Sequence, residues 1–164
     1  MVDKSAFTSD EWGVLLSSVL LSATAVTAAE PSGLLGLIQE GMAGGRVLLA
    51  ESRKTEPGLL KTIAQEIGSS EGRAAAKAAL TARMEGAQRG DIKARAINGV
   101  RQAMMIIGQK APLEAAAFGA LLVKVAEETA AASTEGGFLG FGGERVTEAE
   151  KATIAEVKQA AGVA

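Results

Sequence analysis

The groups best placed for chemistry in this chain are carboxylates around a glycine-rich stretch near its end. Glu127 and Glu128 precede Gly136–Gly143, Glu135 and Glu144 lie in the loop region, and Glu148 and Glu150 follow. Hard cations such as Ca²⁺ and Mg²⁺ are bound by oxygen ligands and need no histidine. Glu127, Glu128, Glu144 and Glu150 are therefore the candidate metal ligands. Their order is not that of an EF-hand, which alternates Asp or Asn ahead of a glycine. Glu150 also has a structural explanation as a helix cap, and Glu148 as an acid in the favourable field of a helix N-terminus. Between the glycines stand Phe138, Leu139 and Phe141, the candidate contact for a partner.

The missing side chains are equally informative. The chain holds no histidine, cysteine or tyrosine, so the commonest general bases, thiolate nucleophiles and transition-metal ligands are closed to it. A carboxylate-bridged di-iron bundle needs Glu-x-x-His pairs, and zinc hydrolases and Ser-His-Asp or Cys-His enzymes fail for the same reason. Gly41–Arg46 lacks the Gly-Lys-Ser/Thr ending of a phosphate-binding loop. Its Gly41 and Gly45 are four apart and are read as a helix-packing pair. Arg89-Gly90-Asp91 reads as a turn before a helix. Ser17, Ser18 and Ser22 lie in an apolar stretch and could line a pocket. Helical serines more often bond back to a carbonyl of their own helix. No catalytic set emerges, and the chain reads as a non-enzyme without a required cofactor.

These residues must be positioned by helices. Aromatic residues make up only 3% of the 164, so the core must be aliphatic. No stretch alternates with the period of a strand. Helical spacing predicts elements near 9–29, 32–52, 57–68, 70–86, 91–109, 112–133 and 147–161. The expected fold is all-α, a compact bundle of about seven helices with one glycine-rich loop, in a single domain spanning 1–164. Pro31, Pro57 and Pro112 are expected at first helical positions, where a missing N–H costs nothing. Thr8 with Glu11, and Thr147 with Glu150, have the spacing of capping boxes. Phe7 and Trp12 fall at the staple positions around the first box. In the fifth helix Ile92, Ala96, Val100, Ala103 and Ile107 form an apolar face; in the sixth, Phe118, Leu121, Leu122, Val125 and Thr129 do so.

Charge is unevenly spread. Residues 53–110 hold 11 basic and 5 acidic residues, and both flanking segments are net acidic. A basic middle could meet a polyanion or pair internally, but no aromatic residue stands between Trp12 and Phe118 to stack on bases. Nucleic acid is therefore not the expected partner. Gly13–Ala29 is uncharged, yet its serines and threonines and the preceding Asp10 and Glu11 speak for a buried central helix rather than a signal or membrane span. A cytoplasmic protein is expected.

Residues 126–157 carry a family resemblance. Ala126-Glu127-Glu128, then Gly142-Gly143-Glu144-Arg145-Val146-Thr147-Glu148-Ala149-Glu150-Lys151, then Ile154-Ala155-Glu156-Val157 resemble the helix, acidic glycine loop and capped helix of TerB-like tellurite-resistance proteins. Phe141-Gly142-Gly143 stands where that loop usually has Asp-Gly. The resemblance implies an all-helical, stress-associated protein with a divalent-cation site. Residue types alone favour a helical interaction or structural protein whose partner is protein, either a second copy or another chain. Thr147→Ala is expected to lower stability by about 1 kcal/mol through loss of the cap; an unchanged urea midpoint would show that the box does not form.

Overall fold

The computed structural model describes residues 2–29, 37–54, 57–135 and 146–163. Within them lie seven α-helices and no strand: α1 (Ser9–Thr27), α2 (Leu37–Ser52), α3 (Leu59–Gly68), α4 (Ser70–Met84), α5 (Ile92–Lys110), α6 (Ala115–Glu135) and α7 (Glu148–Ala160). The all-α bundle expected from periodicity is therefore the fold. Residues 30–36, where the second helix was expected to start beside Pro31, lie outside the described residues, as do 136–145.

Each of the other six helices packs on α1. The reason is visible in its composition. Trp12, Leu15, Leu16, Val19, Leu21, Ala25 and Val26 are buried, and so are Ser17, Ser18, Ser22 and Thr27 between them. Apolar or small residues on every face leave no stripe for water, so such a helix must be surrounded. Among the described residues no helix is long and apolar enough to cross a membrane.

Buried helical hydroxyls need acceptors, and most in α1 find them one turn back. Ser17 Oγ donates to the Val14 carbonyl at 3.1 Å, Ser18 Oγ to Leu15 at 2.7 Å and Thr27 Oγ1 to Ala23 at 3.1 Å. Ser22 Oγ is buried with no hydrogen-bond partner among the described residues.

The neighbours of α1 can be oriented from single contacts. Lys110, ending α5, bonds Glu11 at the start of α1, while Gly99 faces Leu21; α5 therefore runs antiparallel to α1. Glu127 of α6 pairs with Lys158 of α7, and Gly119 of α6 abuts Ala161 just beyond α7, so these two are antiparallel as well. The predicted faces of α5 and α6 hold. Ala96, Val100, Ala103 and Ile107 are buried, with Ile92 half-buried, and so are all five residues named for α6.

One expectation about helix ends needs correction. Pro57 precedes the Gly58 cap of α3 and so sits outside the helix. Pro112 does start a helix, but it is a 3₁₀ turn over Pro112–Glu114 that leads into α6. Both capping boxes form, with Thr8 and Thr147 each accepting from the backbone N–H three residues on. The Phe7 and Trp12 rings lie 5.6 Å apart across the first box. Arg89–Asp91 is a 3₁₀ turn at the head of α5.

Close helix approach depends on glycines other than Gly45; the surroundings of Gly41, its expected packing partner, lie outside what is described. Gly45 is exposed, and a Cβ there would meet nothing within 4 Å; its neighbour Gly44 is the buried one, set against Val125. The tightest position is Gly72 in the first turn of α4, where a Cβ would collide with the Glu66 carbonyl of α3. Backbone cannot step aside as a side-chain tip can. Gly72→Ala is therefore expected to cost about 2 kcal/mol or more, whereas Gly108→Ala, in open space on α5, should stabilise by roughly 0.5–1 kcal/mol through helix propensity. Paired urea titrations check both; equal midpoints would refute the close α3–α4 corner. Ser22→Ala removes the unpartnered hydroxyl and should raise the thermal midpoint.

Candidate functional site

Where helices lined by small residues pack around α1, one apolar strip of it stays uncovered. Val19, Leu20 and Ala23 form the floor of a cleft of about 560 Å³ between α1, α2, α3 and α4. Gly44, Gly45, Leu48 and Leu49 of α2 make one wall, Ala64, Ile67 and Gly68 of α3 another, and Ala76 of α4 a third; Val125 of α6 reaches its depth. Glycines at two positions of the α2 wall remove side-chain volume that would otherwise fill the space. Leu49 stands at the rim, 49% exposed. A leucine left that open beside a concave apolar surface marks a place where contact with a second molecule would remove apolar area from water.

The remaining lining is polar. Ser52, Arg73 and Lys77 complete the lining. Arg73 Nη1 donates to the Gly68 carbonyl, closing the corner between α3 and α4. Among the described residues that line the cleft there is no carboxylate.

The predicted metal ligands are not drawn together as far as they are described. Glu127 is exposed and paired with Lys158 at 3.0 Å, and Glu128 is exposed. Glu150 is buried, with its carboxylate accepting from the Thr147 N–H at 2.9 Å. Lys158 and Glu150 are eight residues apart on α7, roughly 12 Å along its axis, so the partner of Glu127 is remote from Glu150. Glu144 lies outside the described residues, and so do Phe138, Leu139 and Phe141. Among the described residues no three Asp, Glu, His or Cys side chains cluster as a metal site would require.

A polar cluster that spacing did not foretell closes the start of α1. Trp12 Nε1 donates to Glu66 Oε2 at 2.7 Å, and Lys4 Nζ to Glu66 Oε1 at 2.6 Å. Lys110 Nζ reaches both Glu11 Oε2 at 2.6 Å and the Ala6 carbonyl at 3.0 Å. The buried indole needs an acceptor, which ties α1 to α3; Lys110 ties it to α5. Lysines and arginines of the basic middle are largely engaged in the same way. Lys93 pairs with Glu156, and Arg95 caps the carbonyls of Arg83 and Glu85.

Compared with known proteins, the chain matches no family model, no curated protein and no solved structure.

The cluster sets a pH dependence. Burial alone would raise the Glu66 pKa, but the bonds from Lys4 and Trp12 outweigh it and hold it below the ordinary 4.5. The Lys110 ammonium, with the Thr8 N–H, lowers that of Glu11. Depressed carboxylate values give stability that is present above the unfolded pKa and lost as pH falls through the folded one. The thermal midpoint should therefore drop as pH goes from about 5 to 3, and Glu66→Gln should flatten part of that drop. A midpoint constant across this range would contradict the assignment.

Proposed function

We propose that this chain is a non-enzymatic helical binding protein that receives an apolar group in the cleft between α1, α2, α3 and α4. The observation that carries this reading is the apolar floor, with Leu20 and Ala23 half-exposed over a buried Val19, beside the exposed Leu49. Its volume of about 560 Å³ falls within the range of small-molecule sites. The state of the polar groups points the same way. Buried hydroxyls at Ser17, Ser18 and Thr129 bond their own helices, and Glu11, Glu66 and Glu150 are held in caps and ion pairs. Groups held so firmly serve the fold rather than a reacting molecule.

The test is a titration with Nile red, an uncharged dye whose emission shifts to the blue in apolar surroundings. The native protein is expected to give a saturable blue-shifted signal. Gly45→Phe, which places a ring where a Cβ meets nothing, should weaken it several-fold, as should Leu49→Ser at the rim. Both sites are exposed, so the circular-dichroism melt should move little. No shift with native protein, or equal binding by native protein and both variants, would refute the reading.

A further inference from the structure

The charges of the cleft specify more than its apolar floor does. Among the fifteen described residues that line it only Arg73 and Lys77 are charged, and both are cations. They stand one helical turn apart on α4, so they share a face. Two other grooves among the described residues differ. The one between α1 and α4 carries Asp10 as well as Arg83, and the one over Trp12 carries Glu66 and Glu71 as well as Lys4. Lys77 makes no ion pair among the described residues. Arg73 spends one guanidinium nitrogen on the Gly68 carbonyl, which fixes its position and leaves further N–H donors for an anion.

We infer that the occupant is an anionic single-chain amphiphile, with its hydrocarbon tail along Val19, Leu20, Ala23, Leu48 and Ile67 and a terminal carboxylate between Arg73 and Lys77. The inference rests on the binding reading above and adds the chemistry of the ligand. Two cations on one face of α4 beside an apolar surface match a molecule with one charged end. A partner helix is about 10–12 Å across with its side chains and presents anchors along several turns. It would need a longer trough than a cleft of about 560 Å³ lined by five helices.

The experiment is displacement of Nile red from the full chain by laurate and by dodecanol, both below their aggregation concentrations. The two share a twelve-carbon chain and differ in charge. Laurate should displace the dye at about fivefold lower concentration, the effect of two solvent-exposed charge pairs, and added salt should shrink the gap. Arg73→Gln combined with Lys77→Gln should bring the ratio of the two close to one. Equal displacement of the native protein by acid and alcohol overturns the inference while the binding reading stands, as does a preference that survives the double substitution. Displacement by neither, with dye still bound, overturns it also. Absence of dye binding fells both readings at once.

Discussion

The structure depends on one constraint: from Trp12 onward α1 carries no charged residue, and most of its surface must be kept from water. Its buried residues run from Trp12 to Thr27 and include leucine, valine, alanine and serine on all sides. A helix of this kind is stable only when surrounded, and the six other helices supply the enclosure. Serine and glycine let neighbours come close without adding bulk. The hydroxyls buried in consequence are mostly satisfied by carbonyls one turn earlier.

Enclosure alone does not fix where α1 sits along its own axis. That register comes from its first turn, where Thr8 and Glu11 close the helix end and Phe7 packs on Trp12. The same turn is bolted outward, to α3 through the indole and Glu66 and to α5 through Lys110. The other end has no comparable polar lock among the described residues. Packing there is carried by Val26, Ala25 and Leu21, and along that half of α1 the enclosure opens into the cleft.

Much of the fold was legible because helix signals are local. Capping boxes at Thr8 and Thr147 and the apolar stripes of α5 and α6 are patterns within a few turns, and each appears where its spacing puts it. Pro57 was misplaced by two positions because a proline before a cap and one after it look alike in sequence. The long-range features were not legible. Nothing near Trp12 names Glu66, and nothing near Gly72 announces the Glu66 carbonyl beside it. Both follow from how α3 turns into α4. The cleft escaped for the same reason, since its lining comes from five helices. In hindsight Arg73 and Lys77 at helical spacing, with Leu48 and Leu49 in tandem, were the available signals; the tandem forces one leucine off the buried face.

Native-state hydrogen exchange tests the organising role of α1 most directly. Packed against all six other helices, its amides from Leu15 to Val26 should be the slowest in the chain and should exchange only through global unfolding, with the same denaturant dependence as the whole domain. Exchange there by local opening, faster than in α4 or α7 at the periphery, would contradict the account.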